Sequence, residues 1–160
     1  MEIIPAILPK NYEDLKEKLS KVRSLVDVVQ VDICDGVFVP SITWPFYGKG
    51  NKGTALFKKS SSEEINIVSD GEEIVVNKEE DDDYAIYSED VDEHFRKILN
   101  EEEGMPYWQD LEFEIDLMVS DAVENFDLYS KLGPKRMIFH FESFENADDF
   151  LEFLQGIDIY

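Results

Sequence analysis

The residues best suited to chemistry fall near the ends of three apolar segments. The first is Val29-Gln30-Val31-Asp32-Ile33-Cys34-Asp35-Gly36. Side chains alternate along a strand, so Gln30, Asp32 and Cys34 share one side while Val29, Val31 and Ile33 share the other. Phe113-Glu114-Ile115-Asp116-Leu117-Met118-Val119 brings Asp116 to a similar level of a second strand, and Phe139-His140-Phe141-Glu142 does the same on a third. Carboxylates on rigid strands can take and return protons, and converging oxygens can hold a hard cation. Each residue also has a plainer reading. Asp32 is then a strand-end carboxylate accepting backbone hydrogen bonds, Asp116 a solvated rim residue, and Gln30 a satisfied polar side chain. His140 and Glu142 shape a rim by bonding each other or the backbone. His94 is an ordinary helix residue. Cys34 is a small buried thiol with no histidine near it in sequence to make it a nucleophile.

The elements that position these residues alternate in type. Ile3 to Leu8 reads as a short buried strand. Asn11 is a helix N-cap, with Glu13 and Asp14 in the first turn, and Tyr12, Leu15, Leu19, Val22 and Val26 follow at helical spacing. Val28 to Gly36 is the second strand. From about residue 48 to 90 the rhythm breaks. There Ile65–Ser69 and Glu72–Val76 flank Asp70-Gly71, a two-residue hairpin signal, and Glu79 to Asp83 is a run of acids. This stretch is expected to be an inserted acidic hairpin arm. A helix resumes at Asp92 and ends near Gly104. The strand through Asp116 follows, then a helix from Asp121 to Leu132 closed by Gly133-Pro134. Met137 to Phe141 is a fourth strand, Asp148 to Leu154 a helix, and Ile157 to Tyr160 the start of a fifth strand. Strand–helix alternation of this kind implies a parallel sheet.

Of the 160 residues, 43% are hydrophobic, enough for a core, and the formal net charge is −22. Such acidity repels phosphate backbones and anionic lipid, so nucleic acid and membrane surfaces are not expected as partners. No apolar stretch reaches the roughly 20 residues of a membrane helix, and the N-terminus has no signal-peptide pattern. The single cysteine suits a reducing compartment, so a cytoplasmic location is expected.

Four stretches, in this order, carry a family resemblance: Ile4-Pro5-Ala6-Ile7-Leu8; Val31-Asp32-Ile33-Cys34-Asp35-Gly36-Val37-Phe38-Val39-Pro40-Ser41-Ile42-Thr43; Asp116-Leu117-Met118-Val119; and Phe139-His140-Phe141-Glu142. The chain resembles ribulose-phosphate 3-epimerase, an isomerase of the pentose phosphate pathway and of carbohydrate metabolism. The resemblance implies α/β architecture as a partial TIM (β/α) barrel: residues 1–160 as its N-terminal half, in about four βα units, with the arm at about 48–90 inserted. It implies epimerisation between ribulose 5-phosphate and xylulose 5-phosphate by metal-assisted proton transfer at C3. Asp32 is then the catalytic carboxylate and a metal ligand. Ala6, Cys34, Met118 and His140 line the substrate.

Two histidine ligands of the family are replaced, by Gln30 and Asp116, and its first-strand serine is Ala6. An oxygen-rich set of Asp32, Asp116 and Gln30 shifts preference among divalent cations (Mg, Mn, Fe or Zn) toward Mg or Mn. The family's second catalytic Asp and its phosphate loops belong to the C-terminal half. The chain is therefore expected to associate, as a homo-oligomer or with a partner chain completing the barrel. The alternative is a non-catalytic, truncated or decayed relative acting as a binding protein.

Overall fold

A computed structural model describes residues 3–46, 66–69, 72–75 and 91–157. By its contacts the chain divides into two units, Met1–Ala55 with Glu89–Tyr160, and Leu56–Ser88. In the larger unit, strands β1 (Ala6–Ile7) and β2 (Val28–Cys34) flank helix α1 (Tyr12–Val22). In the smaller, β3 (Asn66–Ser69) and β4 (Glu72–Val75) pair antiparallel, with Ser69 opposite Glu72. That register leaves Asp70-Gly71 as the two residues between the strands, the spacing a two-residue hairpin turn demands. The acidic run Glu79 to Asp83 lies outside the described residues.

The larger unit resumes with α2 (Glu93–Leu99), β5 (Glu112–Met118), α3 (Phe126–Ser130), β6 (Arg136–Phe139), a 3-10 turn at Phe141–Ser143 and α4 (Ala147–Gly156). Its sheet has the order β1-β2-β5-β6, and every pairing is parallel. The expected parallel α/β sheet is therefore present. An antiparallel bridge between Phe46 and Val91 brings together the ends of the chain flanking the arm, so the sheet tolerates the insertion.

Alternation along the strands makes the sheet two-faced. Val29, Val31, Ile33, Ile115 and Leu117 are fully buried on one side, each worth roughly 1.5–3 kcal/mol of transfer free energy. Helix α1 contributes buried Tyr12, Leu15 and Leu19 to the core, and the Asn11 side chain caps it by accepting from the Asp14 N–H at 2.8 Å. The other side of the sheet carries Gln30, Asp32, Glu114, Asp116 and Arg136, so it is polar.

Several boundaries differ from expectation, each for a local reason. The first strand is only Ala6–Ile7, and Ile3 is 72% exposed, because β1 pairs on one side only and the chain before it leaves the sheet. The third helix begins at Phe126 rather than Asp121. Asp121 instead turns inward, where its carboxylate accepts a bond from the buried Tyr129 hydroxyl. Beyond Phe139 the chain enters the 3-10 turn rather than extending the strand to Phe141. The fifth strand expected from Ile157 falls mostly outside the described residues. No helix among the described residues is long and apolar enough to cross a membrane.

Helix α2 ends at Leu99, well before Gly104. Glu101 adopts φ 60°, the Glu101 N–H donates to the Ile98 carbonyl at 3.0 Å, and the Glu102 N–H donates to the Lys97 carbonyl at 2.9 Å. This is the paired-bond helix stop that glycine favours, built here on a glutamate. A side chain in the left-handed region costs roughly 1–2 kcal/mol. Glu101→Gly is therefore expected to raise the unfolding free energy measured in urea by roughly 0.5–1 kcal/mol after its unfolded-state entropy is counted. Glu101→Ala, which keeps a Cβ, is expected to give no such gain.

Candidate functional site

The polar face of the sheet gathers a continuous hydrogen-bonded row. Parallel pairing of β2 with β5 sets Asp32 beside Asp116 and Gln30 beside Glu114. The Gln30 side-chain amide donates to Asp32 Oδ1 at 2.7 Å and, more weakly, to Asp116 Oδ2 at 3.4 Å. His140 Nε2 lies 2.9 Å from Asp116 Oδ1. Asp32, Gln30, Asp116 and His140 are thus joined across three strand positions. One step toward the strand N-termini, the buried Glu114 pairs with Arg136.

Asp32 is only 7% exposed. Burial pushes its carboxyl above the ordinary aspartate range. The neighbouring Asp116 charge adds to this rise, while the Gln30 bond and His140 oppose it. A carboxylate of raised affinity for protons, fixed on a strand, is suited to general base work.

The loop after β2 frames this row. Asp35 Oδ1 accepts the backbone N–H groups of Val37 and Phe38, and its Oδ2 accepts both the N–H and the hydroxyl of Ser120, so one carboxylate ties the β2 loop to the end of β5. Gly36 sits at φ +79°, and a Cβ there would meet Ile42 at 2.7 Å, so the turn requires glycine. Thr43 closes the loop. Its hydroxyl donates to the Asp32 carbonyl and accepts the Cys34 N–H, both at 2.8 Å. Phe38 lies against the His140 ring, with centroids 5.5 Å apart.

The structure therefore brings Gln30, Asp32, Asp116 and His140 together. Ala6 stands beside Gln30 in register and is exposed, while Cys34 and Met118 are paired one step further along the same face. The Cys34 thiol is fully buried, and burial raises its pKa, which disfavours the thiolate. His140 bonds Asp116, not Glu142. His94 is not a lone surface residue either: its ring stacks on Tyr12 at 3.7 Å, and both side chains bond Glu103.

The side chains that the resemblance assigns to a metal do not form a ligand set. Gln30 presents its N–H groups, not its carbonyl, to the two carboxylates, and His140 takes an oxygen of Asp116. Among the described residues no three His, Cys, Asp or Glu side chains are grouped to hold an ion. Turning the Gln30 amide over would set its oxygen against carboxylate oxygens, an arrangement only an intervening cation would offset.

Two residues around the row escaped sequence reasoning. Thr43 lay within a recognised stretch, yet its bonding to the strand end is a tertiary fact. The local pattern at Asp121 is that of a helix residue. Asp121 is buried just beyond β5, and desolvation lifts its carboxyl to about 6, against the partial relief of the Tyr129 bond and with the Asp35 charge adding to the rise. No protein-family model matches the chain, and neither does any curated protein.

Asp121 gives a test by pH. Its folded pKa of about 6 lies above the unfolded value of about 3.9. Its contribution to stability is therefore fully present below about pH 4 and lost as pH rises through about 6. Asp121→Asn, which keeps an acceptor for Tyr129, is expected to flatten the stability profile between pH 4 and 7. At pH 7 the variant is expected to be roughly 2 kcal/mol more stable in urea unfolding.

Proposed function

We propose that this chain carries the proton-abstracting side of a ribulose-phosphate 3-epimerase site, with Asp32 as the base. The observation that carries the reading is the state of Asp32. It is a buried carboxylate of raised pKa on the polar face of a parallel sheet, held in place by Gln30. The motif stretches around Asp32, Asp116 and His140 supply the substrate class, a ketopentose 5-phosphate.

In this reading Asp32 accepts the C3 proton of ribulose 5-phosphate. The C3–H electron pair forms the C2–C3 double bond of an enediolate, and the charge moves to the C2 oxygen. Return of a proton to the opposite face yields xylulose 5-phosphate. His140 and Gln30 fix the carboxylates from one side, and Phe38 and Thr43 hold the rim. The family resemblance assigns the second acid and the phosphate loops to a further barrel half. No step is routed through a metal, because the side chains that would hold one are bonded to each other.

One observation favours the second reading, a binding protein that associates through its open edge. Helix α4 packs on β6 through Phe153 against Phe139, and on the following turn through Phe150 against Phe141 and Phe144, while Phe141, Leu151 and Leu154 are exposed. Contiguous exposed apolar surface marks association sites.

Exchange of the C3 proton of ribulose 5-phosphate in D2O, followed by proton NMR, separates the two readings, because washout needs only one base. The expected result is washout at least about 100-fold faster than with Asp32→Asn. Xylulose 5-phosphate should accumulate only in samples that supply the second acid. Absence of washout, from a chain that sediments as an oligomer, would overturn the enzyme reading and leave the binding one.

A further inference from the structure

A second concave surface lies at the opposite end of the sheet from Asp32. It is a cleft of about 610 Å³ at the N-terminal ends of β5 and β6, floored by apolar side chains that include Met105 and Leu132. At its rim stands Trp108, 61% exposed. The indole lies so close over Gly104 that a Cβ there would meet the ring at 2.7 Å. A large, exposed aromatic beside an apolar floor is the form of an interface anchor.

The charges around the anchor are unequal. Glu101 and Glu102 line the cleft and form no side-chain hydrogen bond or ion pair among the described residues. Lys131 and Lys135 on the facing wall are engaged within the chain, Lys135 with Glu112. The vacant charge at the cleft is thus negative, on a protein of net charge −22. The same loop already shows how it receives a cation. The Arg23 guanidinium lies 4.5 Å from the Tyr107 ring centroid and pairs with Asp110 at 3.4 Å. Trp108, Glu101 and Glu102 line one cleft and offer the same aromatic and carboxylate groups, with no guanidinium among the described residues stacked on the indole.

We propose that the cleft is a docking site for an arginine-bearing segment of a partner protein, with its guanidinium on Trp108 and paired to Glu101 and Glu102, and an adjacent apolar side chain on the floor. The planar guanidinium suits this site better than an ammonium, because it stacks on the ring and offers a fork of donors to the carboxylates. The protein's negative field draws such a segment in and makes association depend on salt.

Tryptophan fluorescence of the full chain reads this directly, because Trp44 is fully buried and external quenchers therefore reach Trp108 preferentially. The probe is a blocked peptide, Ala-Leu-Arg-Leu-Ala, compared with versions carrying Lys or neutral citrulline in place of Arg. The Arg peptide is expected to shield Trp108 from acrylamide saturably. Binding of the Lys peptide should be roughly fivefold weaker, and the citrulline peptide weaker still. The double variant Glu101→Gln with Glu102→Gln should lose roughly fivefold or more, and raised salt should narrow that difference. Equal shielding by citrulline, unchanged binding in the double variant, or no shielding at millimolar peptide would each overturn the proposal. Shielding that grows with protein concentration alone would give the cleft to a second copy and would also overturn it. Circular dichroism of the double variant, whose changes are on the surface, guards against misfolding.

Discussion

The parallel register of β2 against β5 is the constraint on which the rest depends. It places Asp32 directly beside Asp116 on the face turned away from the buried aliphatic side. Two carboxylates at strand spacing repel, and the Asp116 charge adds to the rise that burial imposes on Asp32. The same register cannot slip by one residue, because that would turn Val29, Val31 and Ile33 out of the core. The hydrophobic side of the sheet therefore enforces an electrostatic conflict on the polar side. Gln30 and His140 are the two donors that ease it.

That conflict links the packing to the chemistry. A carboxylate kept from water and set near a like charge holds a proton more readily than a free one, and Asp32 is in this condition. The frame around it leaves little freedom. Asp35 takes four donors from two loops, and Thr43 bonds both the Asp32 carbonyl and the Cys34 N–H. Proton transfer at carbon depends on such placement, since small displacements of the base cost large factors in rate.

Much of this was legible in the sequence wherever a local signal had a local cause. The alternation of Val29, Val31 and Ile33 gave strand and face together. Asn11 marked the start of α1, and Asp70-Gly71 marked a hairpin whose register agrees. Misreadings arose where tertiary contacts overrode local pattern. Asp121 was drawn out of a helix toward Tyr129, and α2 stopped on Glu101 without the glycine that announces such an end. At the site, the spacing gave the shared face of Gln30 and Asp32. No single sequence could give the strand order that makes Asp116 the neighbour of Asp32 and His140 the partner of Asp116. The Tyr12, His94 and Glu103 cluster likewise joins residues far apart in the chain.

The two ends of the sheet thus have different characters. One end holds a satisfied carboxylate row framed by loops, and the other a cleft whose acids stand open beside an exposed indole. Burial beside Asp116, relieved by Gln30, sets the protonation of Asp32. Titration of the Asp32 side-chain carboxyl by carbon-13 NMR, in the native chain and in Gln30→Leu, tests it most directly. The account predicts a native midpoint above the ordinary aspartate value of about 3.9 and a further rise in Gln30→Leu. A native midpoint at or below that value, or a midpoint that falls when Gln30 is removed, would contradict it.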